Sequence, residues 1–192
     1  MKKSLLSKEA TVYTIGHSTH PWEEFLAMLQ SFEIEVLADV RRLPGSRKFP
    51  QFDQEAMAPA LAAAGIAYMH CTGLGGKRKG SKESRNTRWR NLSFRAYADY
   101  METVNFKESL QALAAMALNK KLAYMCSEAV WWRCHRSMIS DELKAEGWRV
   151  LHIMGMGKAQ EHRFTAPAVV VNGHVRYSDD AGLFSGNAVE EL

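Results

Sequence analysis

The sequence predicts a single α/β domain. Its core is a mostly parallel five-stranded sheet with helices on both faces, a Rossmann-like three-layer arrangement, followed by a C-terminal β-hairpin. Two observations carry this expectation. Five short β-rich runs recur along the chain, separated by helix-period segments, the alternation that builds parallel sheets. The length, 192 residues, suits one domain with a sizeable core.

The elements follow in order. Residues 11–15 form a β-rich run stopped by Gly16. A helix over 21–30 follows, with Pro21 in its first turn, Glu23 and Glu24 at its positive end, and Trp22, Phe25, Leu26 and Leu29 on one face. The second strand spans 35–40 and runs into Arg41 and Arg42. Asp53 is placed to cap an alanine-rich helix reaching about Ala64, with Gly65 closing it, and the third strand spans 66–71. Ser93 is expected to cap a helical region over 94–118, broken near Asn105. The fourth strand covers 121–126, a helix covers 134–146 before Gly147, and the fifth strand covers 148–153. Asn172-Gly173 between two valine-containing runs predicts a hairpin with a type I′ turn, and the final residues read as a loose tail.

Composition narrows the class. The chain is 46% apolar and 24% charged, as ordinary globular proteins are. No apolar run approaches the roughly 20 residues of a membrane span. The start lacks the apolar core of a signal peptide. Three cysteines without a framework spacing suit a reducing compartment, so the expectation is a cytoplasmic protein with no membrane partner, residues 1–192 forming one domain. A net charge of +4 is mild, so an anionic partner must meet local clusters of cations.

Those clusters, and the chemically able residues, lie at strand ends. In a parallel sheet the carboxyl ends of the strands share one edge, where ligands bind. Here the ends are Gly16-His17-Ser18, Arg41-Arg42, His70-Cys71, Cys126-Ser127-Glu128 and His152. The stretch from Cys126 to Arg136 holds two thiols, an acid, a histidine and two arginines within eleven residues. Cys126, Glu128 and His17 are therefore the candidate catalytic residues: thiol nucleophile, general acid or base, and proton carrier. Ser18, Arg41, Arg133, His135, Arg136, Lys77 and Arg78 are the candidate anion or substrate ligands. Each has a bland counterpart: a buried packing cysteine, a helix-start acid, a structural histidine (the role favoured for His152), or an internal salt bridge from Arg41 to Asp39 or Glu128.

Thr14-Ile-Gly-His-Ser18, Asp39-Val-Arg41, the segment from Pro44 to Phe52, Leu74-Gly-Gly76, Cys126-Ser-Glu128, Cys134-His-Arg136 and Val150-Leu-His-Ile153 fall in one order. This pattern resembles the bacterial domain of unknown function 488 family over about residues 11–153, leaving the hairpin and tail of 154–192 outside it. The resemblance implies an α/β fold and a shared polar strand edge, and no established activity.

Several functions remain open. One is an enzyme acting on a nucleotide or a nucleic-acid base; another is a non-catalytic module that only holds such a ligand. The segment 77–90, rich in lysine and arginine with Trp89 inside it, offers phosphate neutralisation and base stacking and leaves the third strand as a lid would. Asp39-Val-Arg41 and the strand–cysteine–loop–helix unit also look like rhodanese domains and cysteine phosphatases. Against that stand a Cys126–Arg133 spacing one residue longer than the phosphatase loop, two bulky tryptophans in the loop, and Glu128, which repels a dianion. No cofactor is predicted. Zinc is disfavoured because Cys126, Cys134 and His135 lack ribbon or finger spacing, and helical neighbours point about 100° apart. A Cys126–Cys134 redox pair is a further reading. Cys126 is expected to be the thiol of lowered pKa, facing Arg136 or Arg41.

Overall fold

A computed structural model describes residues 10–180. It is an α/β fold whose main sheet has the order β3-β2-β4-β1-β5-β6. The strands are β1 (Thr11–Gly16), β2 (Val36–Asp39), β3 (Ala67–His70), β4 (Leu122–Cys126), β5 (Arg149–Gly155) and β6 (Lys158–Glu161). The first five are parallel, as expected. The sixth pairs antiparallel to β5 and makes the sheet six-stranded rather than five-stranded. Lys158-Ala-Gln-Glu161 is exposed throughout and has no β-branched residue, so it carries no strand signal of its own. It pairs because Gly157, at φ +63°, turns the chain straight back onto β5. Its charged ends also blunt the sheet edge.

Helices cover both faces. On one, α1 (Trp22–Gln30) and α2 (Gln54–Ala63) contribute Phe25, Met28, Leu29, Met57 and Leu61 to a core shared with Ile15, Leu37 and Met125. On the other, α3 (Leu92–Met101), α4 (Val104–Ala117) and α5 (Arg136–Ala145) pack Tyr97, Phe106, Leu110, Leu113 and Met138 against Val12, Ala38 and Tyr124. The break expected near Asn105 falls at Glu102–Thr103, where the Thr103 hydroxyl caps α4. Asn91, not Ser93, caps α3: its side-chain oxygen accepts from the Ser93 and Phe94 amides. The hairpin is β7 (Val169–Val171) and β8 (His174–Arg176), with Asn172 and Gly173 both at positive φ as a type I′ turn requires. The expected tail, 181–192, and the chain start, 1–9, lie outside the described residues. Among the described residues no helix is long and apolar enough to cross a membrane.

One topological fact positions the site. From β1 the chain leaves over one face toward β2, and from β4 it leaves over the other toward β5, although β1 and β4 are neighbours. Connections that part in this way open a crevice at the carboxyl ends of the two strands.

A cleft at the switch point

A cleft of about 870 Å³ lies at those strand ends, with His17, Ser18, Arg41, Cys126, Glu128, Arg133 and His135 in its walls. Arg42, Lys77, Phe49, Phe94, Ser127 and Cys134 line it as well. The loop after β4 is stitched to the end of β1. The His17 amide donates to the Cys126 carbonyl at 3.0 Å and the Ser18 amide to the Ser127 carbonyl at 2.9 Å. Gly16 is what permits this approach, since a Cβ there would lie 1.9 Å from the Glu128 carbonyl oxygen. Ser18, at φ +47°, turns the chain away from the crossing.

Arg41 sits in the cleft wall, and most of its guanidinium is already engaged. Its Nε and Nη2 donate to both Asp39 oxygens at 2.6–3.1 Å, and Asp39 is fully buried. The Tyr68 hydroxyl also donates to Asp39, at 2.9 Å. Arg41 Nη1 faces His17 Nε2 at 3.3 Å, while His17 Nδ1 faces the Ser18 carbonyl at 3.0 Å. A carbonyl only accepts, so Nδ1 carries the proton and Nε2 takes the bond from Arg41. Burial first, then the Arg41 charge, bring the His17 pKa down to about 4. His17 is thus a neutral imidazole stacked on Phe52, holding Arg41 in place.

At the other side of the cleft, Arg136 is buried beneath the loop. It donates to Thr14 Oγ1 at 3.0 Å and to the Glu128 carbonyl at 2.5 Å, and it faces no carboxylate among the described residues. This arginine therefore shapes the loop instead of reaching a ligand. Its charge also acts on one of the two thiols. Burial raises the Cys134 pKa, but the hydrogen bond from Cys126, the Arg136 charge and the Arg136 amide outweigh that and bring it down to about 6. Cys126, hydrogen-bonded to Cys134 and buried, is pushed up to about 12. The expected lowering of the Cys126 thiol is not met: its hydrogen bond with Cys134 and burial raise it, and the lowered thiol of the pair is Cys134. In the sequence Cys134 figures only as a redox partner of Cys126 or a disfavoured zinc donor, not among the catalytic or anion-binding candidates. Its adjacency to a histidine at a helix start was the available signal.

Two further expectations shift. Arg78 bonds the Gly75 carbonyl at 2.8 Å and stacks on Tyr100 at 3.5 Å, so it braces its own loop. The basic segment is not a free lid. Asn86 is buried and bonds Asp99 and Glu102, the Arg88 amide donates to the Tyr177 carbonyl, and Trp89 stacks on Phe94 at 4.7 Å. Its first residue, Lys77, lines the cleft, as does Asn91 just beyond its end. At β3, His70 bonds the Arg41 carbonyl at 2.9 Å, and neither it nor Cys71 lines the cleft.

A buried polar chain secures the other end of the cysteine loop. Trp131 stacks on His152 at 4.3 Å. His152 Nε2 meets His162 Nδ1 at 2.9 Å, and His162 Nε2 meets Asp141 at 2.9 Å. The carboxylate fixes the order of donation: His162 Nε2–H gives to Asp141, His152 Nε2–H gives to His162, and His152 Nδ1 is left a buried lone pair without a partner among the described residues. Asp141 also receives the Thr165 amide and the Thr165 and Tyr177 hydroxyls, which ties the C-terminal segment to α5. His152 lies inside β5, not at its end.

Fold and cleft together define an open α/β protein with a polar, cation-edged crevice at its topological switch point. The family model described as "Domain of unknown function DUF488" matches residues 21–143, and the chain belongs to that family. No curated protein and no solved structure matched it.

Proposed function

We propose that this protein is an enzyme acting on a nucleotide or a nucleic-acid base, with its chemistry in the switch-point cleft. The observation that carries the reading is the meeting there of an acid, two cysteines and a histidine with cations and aromatic rings, from strands far apart in sequence. Glu128 is exposed to the cleft and serves as general acid or base. Lys77 and Arg133 meet the anionic end of the substrate, and Phe49 and Phe94 offer surfaces to a base. A volume of about 870 Å³ is within the range of small-molecule and cofactor pockets.

A rhodanese- or phosphatase-like role fits less well. The Cys126–Arg133 loop is one residue longer than the phosphatase loop, and it carries Trp131, Trp132 and Glu128 where such loops have small residues around a dianion.

The test begins with nucleotides, nucleosides and single-stranded oligonucleotides screened for thermal stabilisation, followed by chromatographic detection of product from any that bind. Glu128→Gln should abolish turnover and leave affinity within about threefold. A ligand bound equally by both proteins and converted by neither makes the protein a binding module.

A further inference from the structure

We infer that Cys126, Cys134 and His135 form a binding site for one soft divalent transition-metal ion of the zinc class, with one coordination position open to the cleft. Cys126 Sγ, Cys134 Sγ and His135 Nδ1 lie within 4.8 Å of one another. The nitrogen is 3.9 Å from the first sulfur and 3.7 Å from the second. A tetrahedral ion with Zn–S of about 2.3 Å and Zn–N of about 2.05 Å sets the N···S separation at roughly 3.6 Å. Both nitrogen–sulfur edges are within about 0.3 Å of that value, and the sulfurs lie within the same 4.8 Å cluster.

The imidazole is prepared for this role. His135 Nε2 faces the Val40 carbonyl at 3.2 Å, an acceptor only, so Nε2 carries the proton and Nδ1 turns its lone pair to the sulfurs. Ligating histidines nearly always donate their second N–H in this way, which fixes tautomer and ring orientation. Tyr97 holds the ring edge-on at 5.0 Å between centroids. Gly76 keeps the space beside Nδ1 clear, where a Cβ would intrude to 2.9 Å.

Spacing argued against zinc in the sequence because neighbours on a helix diverge. Here the two neighbours precede the helix: Cys134 is extended at φ −125°, ψ 146°, and His135 is the residue before the first turn of α5. Freed from the helical offset, their side chains converge on the end of β4. Thiolate and imidazole together select zinc-like ions over magnesium or calcium. Two cysteines, one histidine and a vacant fourth position make the donor set of a catalytic rather than a structural zinc. All three residues line the cleft, as Glu128 does, so the fourth position faces the substrate space and is open to water or a substrate atom. The inference stands apart from the identity of the substrate.

The test is cobalt(II) titration of reduced, chelator-treated, tag-free protein. The wild type should take up one equivalent, with thiolate-to-cobalt charge transfer in the near ultraviolet, tetrahedral visible bands, and displacement by zinc. C126S and C134S should each lose about half the charge-transfer intensity and bind at least tenfold more weakly, whereas C71S should match the wild type. Alkylation of the wild type, with and without zinc, covers the case in which those serine variants do not fold. Zinc should shield Cys126 and Cys134 and leave Cys71 unaffected. A folded wild type without a thiolate-to-cobalt band, or a band undiminished in both folded serine variants, overturns the site. Because these readouts are spectroscopic and chemical, they are independent of whether Glu128→Gln affects turnover.

Discussion

Asp39→Asn tests whether Arg41 is held by the fold or free for a ligand. Asp39 is fully buried and receives the Arg41 amide, Nε and Nη2 together with the Tyr68 hydroxyl. An asparagine keeps the shape but loses the charge, and it turns an NH₂ toward at least one of these donors. Removing one partner of a buried ion pair costs about 3–5 kcal/mol, because the survivor stays desolvated and unpaired. Arg41 is 6% exposed and borders the cleft, so water reaches part of it and the lower end, about 3 kcal/mol, is the expected loss. For a domain of this size that corresponds to a fall in Tm of roughly 6–12 °C. Urea unfolding followed by tryptophan fluorescence at pH 7, with unchanged m-value, gives the number directly. A loss below about 1 kcal/mol would refute the reasoning: Arg41 would then not depend on Asp39, and its guanidinium would be available to substrate.

Gly16→Ala should cost about 3 kcal/mol and abolish ligand binding, since the added methyl meets the Glu128 carbonyl; a urea midpoint equal to that of the wild type would contradict the close crossing. His152 is pushed down to about 2 by burial and then by His162 and Arg136, so it stays neutral when folded but takes a proton when unfolded below pH 6.5. Its contribution is therefore present above pH 6.5 and lost as pH falls, by about 2 kcal/mol between pH 7 and pH 5. His152→Gln should flatten that part of the stability profile, whereas parallel curves would exclude it. Asp141→Ala should destabilise by about 4 kcal/mol, leaving two buried and two half-buried donors without that acceptor, and hydrogen exchange should show the hairpin opening first. For a nucleotide held by Lys77 and Arg133, log affinity should fall against log salt with a slope of roughly 1.5, and a slope near 4 would move binding to an oligonucleotide along the basic segment.

The strand-edge cluster was legible because a parallel sheet brings carboxyl ends together whatever the intervening chain does. Gly16, Arg41 and Cys126 could be placed from runs of four to six residues alone. What escaped depended on contacts remote in sequence. Segment 77–90 reads as a lid, and it is pinned by Arg88 to the Tyr177 carbonyl, a partner with no local signal. Arg136 reads as an anion ligand at a helix start, and it is buried because Thr14 and the Glu128 carbonyl wait for it inside. β6 has no periodicity to read and exists through its turn. The order of the two thiols turned on their hydrogen bond to each other, a contact that eight residues of sequence separation do not reveal.

The fate of the cations limits what the cleft can hold. Of the five arginines and lysines named from the sequence as anion ligands, Arg41 is engaged by Asp39, Arg78 by loop carbonyls and Arg136 by Thr14 and Glu128. Lys77 and Arg133 are exposed, and both line the cleft. Arg42 lies beside them with one Nη on the Lys77 carbonyl. Among the described residues neither Lys77 nor Arg133 has a side-chain hydrogen bond or ion pair, and these two cations with part of a third match one phosphate or carboxylate, not a long polyanion. Glu128 lines the same cleft, where it would repel a second anionic group. The arrangement therefore favours a ligand with a single charged end and an uncharged, base-sized remainder. That remainder would reach toward the two sulfurs and the imidazole at the junction of β4 and α5.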